Sequence, residues 1–156
     1  IYTLSLHDAL PILDVPVVNV SSNPTPTGPA TPNSAGIDLR YNGEDFILKP
    51  FERRLCDTGL KIKLPNGHVG LVCSRSGLAL KQGLFVLNAP GIIDEDFTNS
   101  IGVILTNLSE KDVLIQHGDR IAQLVIVEYN RPTFQEVESL PTTERGDGGF
   151  GHTGVK

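Results

Sequence analysis

Short runs of Val, Ile and Leu recur from Leu13 onward every eight to twelve residues, and Gly, Pro, Asn or Asp interrupts them. This spacing is typical of an all-β sandwich or barrel, because each run has the length of a strand and each break supplies turn residues. Strands are predicted at 15–20, 35–41, 45–50, 53–64, 68–74, 84–88, 101–106, 112–116, 120–129 and 133–137. Strand follows strand, which argues against a parallel α/β sheet.

Three segments depart from this pattern. Helical spacing is convincing only from Ser76 to Gln82, and Gly83 follows as a candidate C-terminal cap. Residues 21–34 are rich in Pro, Ser and Thr and predict an extended surface loop. Residues 141–156 contain five glycines between Gly146 and Gly154. So many glycines disfavour a stable strand or helix, so a mobile C-terminal arm is expected.

Charge and composition limit the binding partners and the cellular setting that are expected for this chain. A net charge of −5 over 156 residues disfavours nucleic acid and anionic membranes as partners. No apolar run approaches the ~20 residues that span a bilayer. Cys56 and Cys73 lie in separate apolar runs, which favours free thiols in a reducing, cytoplasmic setting over a disulfide or a zinc site. Residues 1–12 lack an initiator Met and share no pattern with the rest, so we expect an artefact there.

Five segments carry the functional signal: AGIDL (35–39), SRSGLA (74–79), GIIDEDF (91–97), GDRIAQ (118–123) and RGDGGFGHTG (145–154). In this order and at these separations they resemble the five motifs of the trimeric dUTPase family, from about Pro29 to the C-terminus. The resemblance implies a jelly-roll-like, distorted β-barrel or sandwich with one short helix, divided into a β domain over 13–140 and a flexible arm over 141–156. It also implies a homotrimer with shared active sites that hydrolyses dUTP to dUMP and diphosphate with Mg²⁺, supplying dUMP and keeping uracil out of DNA.

Asp94 follows an apolar run, where a turn would hold its carboxylate at the edge of the barrel. A carboxylate in that position suits a general base. The resemblance implies that Asp94 orients and deprotonates the attacking water. It also implies that the main chain of the hairpin, around Gly91 and Ile93, reads uracil, and that Phe97 stacks under the deoxyribose so that a 2′-hydroxyl would clash.

Asn88 is open to two interpretations. A side-chain amide offers both the donor and the acceptor that a pyrimidine edge requires, and some family members place an amide there. Asn88 could equally satisfy its own turn at the end of a strand. Glu95 and Asp96 are interpreted as solvated carboxylates of the hairpin.

The run Arg75-Ser76-Gly77 suits phosphate, because it combines a guanidinium fork, a hydroxyl and the free backbone N–H groups of a helix start. The resemblance implies that Gln123 contacts the phosphates and that Asp38 joins the network around metal-bound waters. Since Mg²⁺ keeps several waters and binds substrate phosphates, the protein need not ligate it directly.

The glycine-rich arm offers several ligand-binding groups. Arg145 suits phosphate, Phe150 suits stacking on the base, and His152 and Thr153 suit the terminal phosphate. Glycines such as Gly151 permit close backbone approach. Closure of the arm would exclude water and complete the site.

Three positions depart from the family pattern. Phe97 replaces Tyr and keeps a stacking face, and Asn99 replaces a Gly at a position where Asn tolerates positive φ. His152 replaces Ser and would add positive charge as the pH falls, which predicts tighter substrate binding in acid. Asp119 and Arg120 are interpreted as a turn or a structural ion pair with no catalytic part.

Two other functions compete with this interpretation. A dCTP deaminase or bifunctional relative would share the fold, but that branch typically lacks a glycine arm. A regulatory protein derived from a dUTPase would bind nucleotide to switch a protein contact, and it would have little use for a positioned base.

Overall fold

The computed structural model of the chain describes residues 12–155. The expected artefact segment lies outside the described residues except for Ile12. One short helix, α1 (Ser76–Gln82), accompanies ten strands. The strands are β1 (Val17–Asn19), β2 (Ile37–Arg40), β3 (Phe46–Leu48), β4 (Arg53–Ile62), β5 (His68–Cys73), β6 (Leu84–Val86), β7 (Gly91–Ile93), β8 (Ser100–Asn107), β9 (Val113–Ile115) and β10 (Arg120–Glu128).

The strands form three antiparallel sheets. Their orders are β1-β4-β8-β6, β2-β10-β5-β7 and β3-β9. Within residues 12–155 none of these sheets closes on itself, so the jelly-roll-like all-β expectation is confirmed as a sandwich-like arrangement without a closed barrel. None of the described helices is long and apolar enough to cross a membrane.

A single core cluster joins the two larger sheets. Ile101, Val103 and Leu105 alternate along β8 and are 0% exposed. They share the cluster with Leu39 of β2 and Leu124 of β10, from the opposite sheet. Burial of each such side chain contributes about 1.5–3 kcal/mol, so this alternation positions both sheets. Cys56 also lies in the core as a free thiol, and burial raises its pKa to about 11, which keeps it protonated.

Helix α1 ends as the sequence predicts. Gly83 adopts a left-handed conformation with φ 65°, and its N–H donates to the carbonyl of Ala79 at 3.1 Å. A Cβ on Gly83 would also lie 3.0 Å from the backbone nitrogen of Ser109. Glycine is therefore required here both by the backbone conformation and by the space.

Gly83→Ala is expected to lower the free energy of unfolding by about 1–2 kcal/mol, the cost of a left-handed alanine. Gly77→Ala is the matched control, because a Cβ there meets nothing within 4 Å inside a helix. It should raise the free energy of unfolding by up to about 1 kcal/mol. Urea unfolding followed by circular dichroism measures both, and equal effects would contradict the capping role.

Two strand predictions differ from the structure. β7 (Gly91–Ile93) was not among the predicted strands, because its apolar residues Ile92 and Ile93 are adjacent and are enclosed by Pro90 and Asp94, which indicate a turn. The strand predicted at 133–137 is wrong: these residues form neither helix nor strand and are exposed. A strand needs a neighbour to pair its backbone, and the described chain offers this segment none. Residues 21–34 form the largely exposed loop that was expected.

Candidate functional site

Two arginines form ion pairs with Asp38 at one edge of the β2-β10-β5-β7 sheet. Arg75 Nε lies 3.3 Å from Asp38 Oδ1, and Arg120 Nη1 lies 3.2 Å from Asp38 Oδ2. Arg75 also donates through Nη1 to the carbonyl of Arg120 at 2.8 Å. All three side chains are partly exposed, so these pairs add at most about 1 kcal/mol to stability. The cluster instead presents two fixed guanidinium groups to solvent, where an anion can reach them.

Strand register brings Gln123 beside this cluster. Gln123 is paired with Asp38 on β2 and with Cys73 on β5. Its side chain donates through Nε2 to the carbonyl of Ser74 at 2.9 Å. A Cβ on Gly36 would lie only 2.1 Å from Gln123 Oε1, so the glycine of the AGIDL motif makes room for this side chain.

Helix α1 starts directly after Arg75. Ser76 and Gly77 form its exposed first turn, and no side chain caps it. The first N–H groups of a helix have no intrahelical partner, so they remain available to a ligand. The structure therefore brings together Asp38, Arg75, Ser76, Gly77 and Gln123, the residues expected around the phosphates.

A second group of candidate residues lines a shallow cavity of about 250 Å³ beside β7. Asn88, Gly91, Ile93 and Phe97 contribute to its wall. A Cβ on Gly91 would lie 3.3 Å from Asn88 Nδ2, so the amide lies directly over the glycine. Phe97 is 40% exposed and offers a free ring face. An amide, the main chain of the edge strand β7 and an aromatic ring in one cavity suit a flat heterocycle and its sugar.

Asp94 is exposed and lies just beyond β7. Ile93 pairs with Gly70 near the middle of β5, whereas Arg75 lies beyond the C-terminal end of that strand. At the rise of an extended chain, Asp94 and Arg75 of one protomer are separated by roughly 15–20 Å. One protomer therefore does not bring the candidate base to the guanidinium cluster.

Glu95 is not the solvated carboxylate that the sequence suggested. Its side chain is 11% exposed, and it accepts hydrogen bonds from the N–H of Gly67, the hydroxyl of Tyr129 and Arg131 Nη2 at 2.7, 2.8 and 2.7 Å. The prediction was wrong because these partners come from distant parts of the chain. Asp96, in contrast, is exposed as expected.

Asn99 also differs from expectation in its conformation. The non-glycine residues with positive φ among residues 12–155 are Phe51 and Phe150, so Asn99 does not use the left-handed tolerance that was invoked for it. Its Oδ1 instead accepts the N–H of Ser100 at 2.9 Å.

The arm folds into consecutive tight turns. Arg145 donates through Nε to the carbonyl of Gly148 at 2.8 Å, and the His152 ring lies where a Cβ on Gly148 would be. Phe150 is fully exposed at φ 49°, and Gly151 and Thr153 are also exposed. The five arm candidates therefore lie in one short stretch, and none of these described residues is among the lining of the β7 cavity or the ion-pair partners of Asp38.

The acidic side chains of the candidate site suit a Mg²⁺ ion that arrives bound to a ligand better than a Mg²⁺ ion that only protein side chains coordinate. Among residues 12–155 no three His, Cys, Asp or Glu side chains cluster. Asp38 is the acidic side chain in the guanidinium cluster, and both of its oxygens already face arginines. It can accept hydrogen bonds from metal-bound waters, but it offers no cage.

Arg120 is the residue that the sequence interpretation left out of the site. It pairs with Asp38 and not with its neighbour Asp119, whose carboxylate accepts the N–H of Gln116 at 2.8 Å and closes a turn. The turn was predicted correctly, but the partner of Arg120 depends on the pairing of β2 with β10. A signal was present, since Arg120 begins the same strand that carries Gln123.

Comparisons with known proteins identify relatives over most of the chain. A family model described as dUTPase matches residues 24–154. Deoxyuridine 5'-triphosphate nucleotidohydrolase of Hydrogenobaculum sp. (strain Y04AAS1) is 49% identical over 127 residues, covering 81% of this chain and 88% of the relative. The protein of the same name from Finegoldia magna is 43% identical over 143 residues, covering 91% and 99%.

Solved structures that are similar to this chain are also dUTPases. A Staphylococcus bacteriophage 80alpha dUTPase variant with dUpNHpp superposes with a TM-score of 0.81 at 27% identity, covering 91% of this chain and 99% of that one. The description of another structure of that phage protein says that phage dUTPases control transfer of virulence genes. A dUTPase variant from phage phi11 of S. aureus, described with a structural Mg(II) ion, superposes with a TM-score of 0.72 at 25% identity, covering 81% and 97%.

Proposed function

The chain belongs to the dUTPase family, and we propose that it hydrolyses dUTP to dUMP and diphosphate with Mg²⁺, thereby supplying dUMP and keeping uracil out of DNA. The observation that carries the proposal is the family match over residues 24–154, which includes every candidate residue from Asp38 to Thr153. The curated relatives are named deoxyuridine 5'-triphosphate nucleotidohydrolase, and the alignment with this chain covers most of their length. Because Cys56 and Cys73 are free thiols, we also propose an intracellular location.

In the proposed mechanism, Asp94 accepts a proton from the water that attacks the α-phosphorus of dUTP. Diphosphate leaves in line with the attacking oxygen, and no covalent intermediate forms. Arg75 and Arg145 offset charge on the leaving group, and the N–H groups at Ser76 and Gly77 bind phosphate oxygens.

Recognition of the nucleoside is assigned to the β7 cavity. The main chain at Gly91 and Ile93, with the Asn88 amide, reads the uracil edge. Phe97 packs under the deoxyribose, where a 2′-hydroxyl would be excluded. Phe150 covers the base from the arm.

Mg²⁺ would bind together with the triphosphate, where it would offset phosphate charge and orient the phosphate oxygens. Asp38 would accept hydrogen bonds from its waters, and Gln123 would contact the phosphates. Arg75 and Arg120 hold Asp38 in place for that task.

A closed homotrimer with shared sites is part of the proposal. Support comes from the separation of Asp94 and Arg75 within one protomer. The arm adds to it, since Arg145 is bonded to the Gly148 carbonyl of the arm itself and is not among the partners of Asp38. In such a trimer one subunit supplies the SRSGLA motif, a second the hairpin of Asp94, and a third the arm. The proposed division is a β domain over 13–140 and an arm over 141–156.

Mixing two inactive variants tests the sharing of sites. Asp94→Asn protomers and protomers truncated after Leu140 should each be nearly inactive. After unfolding and refolding as an equimolar mixture, about a quarter of the sites would combine an intact Asp94 with an intact arm from another protomer. Activity restored to a comparable fraction supports shared sites. No restoration, in mixed trimers verified by native mass spectrometry, contradicts them.

The first assay compares diphosphate release from dUTP, dCTP, dTTP and UTP, with Mg²⁺ and then with EDTA. Selective, metal-dependent hydrolysis of dUTP is expected. Absence of hydrolysis in a folded trimer would favour nucleotide-controlled regulation, the alternative suggested by the description of the phage 80alpha structure.

His152→Ser tests the expected acid-strengthened binding. A protonated imidazole would add one positive charge beside the terminal phosphate, so KM for dUTP should be lower in acid. The serine variant should lose this part of the pH dependence and keep the rest. Identical KM profiles for the two proteins would contradict the role of His152.

A further inference from the structure

Glu95 occupies an unusual environment for a glutamate in a surface turn. Its side chain is only 11% exposed, and three donors converge on its carboxylate. Gly67 N–H and the Tyr129 hydroxyl reach Oε1, and Arg131 Nη2 reaches Oε2. A carboxylate that accepts two neutral donors and a guanidinium is held in one orientation.

The donors come from two other parts of the fold. Gly67 lies in the turn between β4 and β5, and Tyr129 and Arg131 lie just past the end of β10. These parts also bind one another, since Tyr129 N–H donates to the Gly67 carbonyl at 2.9 Å and Arg131 Nε donates to the Tyr129 hydroxyl at 3.1 Å. Glu95 therefore closes a network that joins three surface segments.

The main chain of Glu95 is held as well. Lys63 Nζ donates to the Glu95 carbonyl at 2.5 Å, so contacts fix both the side chain and the backbone of this residue. The hydrogen bond from Tyr129, followed by those from Gly67 and Arg131, holds the pKa of Glu95 below its ordinary value. The carboxylate thus stays ionised at neutral pH and keeps all three donors.

Asp94 lies between two anchors. On one side Ile93 is buried and paired with Gly70, and on the other side Glu95 is held by its network. The Asp94 N–H and carbonyl belong to this short stretch, and its carbonyl accepts the N–H of Phe97 at 3.1 Å. The backbone from which the exposed Asp94 side chain projects is therefore held on both sides.

We propose that Glu95 is a positioning residue for Asp94: its carboxylate ties the turn after β7 to Gly67, Tyr129 and Arg131, and thereby aims the proposed base. This inference rests on the proposed function, in which Asp94 deprotonates the attacking water. A base displaced by about 1 Å loses roughly 100-fold in rate, so loosening of this turn should reduce kcat far more than it changes KM.

Glu95→Gln keeps the shape of the side chain and removes its charge. It should lower kcat for dUTP by roughly 10- to 100-fold and change KM by less than about threefold. Tyr129→Phe removes one donor and keeps the ring, and it should lower kcat severalfold in the same direction. Asp96→Asn is the matched control from the same turn, and it should keep the kcat of the parent.

A double variant separates positioning from general structural damage. In an Asp94→Asn background, Glu95→Gln should cause no further loss of residual turnover, because the group that it positions is already gone. A further loss of similar size would overturn the inference, as would an unchanged kcat in Glu95→Gln alone. If the parent does not hydrolyse dUTP, the proposed function fails together with this inference. A parent whose turnover depends on Asp94 but not on Glu95 overturns the inference alone.

Discussion

Asp94→Asn is expected to lower kcat for dUTP by roughly 10²- to 10⁴-fold, the range that a positioned general base contributes. The amide matches the carboxylate in size but does not accept a proton from water at neutral pH. Asp94 is exposed and lies after β7, so the change should leave folding intact. KM should change by less than about threefold, because the substrate contacts are assigned to other residues.

Steady-state diphosphate release measures kcat, and titration with a non-hydrolysable dUTP analogue measures binding. Retained binding without turnover is the pattern expected of an enzyme that has lost its base. Asp96→Asn controls for loss of negative charge in this turn, since Asp96 is equally exposed. If Asp94→Asn kept its kcat within about threefold of the parent, Asp94 would not be the base, and another group would have to deprotonate the attacking water.

The elements that could be predicted from the sequence are those that local pattern determines. The alternation along β8 identifies Ile101, Val103 and Leu105 as inward-facing, and the structure buries all three. Gly83 marks the end of α1 because a left-handed residue there follows from local chemistry. The segment 133–137 carries Phe134 and Val137 without a strict alternation, and whether it pairs depends on a partner strand that its own residues do not specify.

In the candidate site, too, the sequence identifies residues that belong to motifs but not the contacts that form between distant parts of the chain. Arg75, Asp38 and Gln123 are identifiable from motifs, and strand register brings them together. The pairing of Arg120 with Asp38 and the network around Glu95 are not visible in the sequence. Both rest on contacts between residues that lie 28 or more positions apart, the smallest separation being that of Gly67 and Glu95. Side-chain type gives the chemistry, whereas the fold selects the partner.

Truncation after Leu140 is expected to lower kcat/KM for dUTP by at least about 10³-fold, because the change removes an arginine and the groups that exclude water from the site. The arm is exposed and bonded within itself, as in the contact of Arg145 with the Gly148 carbonyl. Its removal should therefore leave the unfolding midpoint and the number of subunits in the oligomer unchanged.

The energetics of Phe150 explain why the arm should act by closing on substrate. A phenylalanine at φ 49° with its ring in water carries a conformational cost of about 1–2 kcal/mol without any compensating burial. Stacking on the base would supply that burial, so Phe150→Ala should raise KM, whereas Arg145→Lys should lower kcat by loss of the bidentate fork. Glu144→Gln, an exposed change at the start of the arm, should retain parental kcat/KM. If the truncated protein remains a trimer with undiminished kcat/KM, the arm takes no part in catalysis, and Arg75 must offset the leaving-group charge without Arg145.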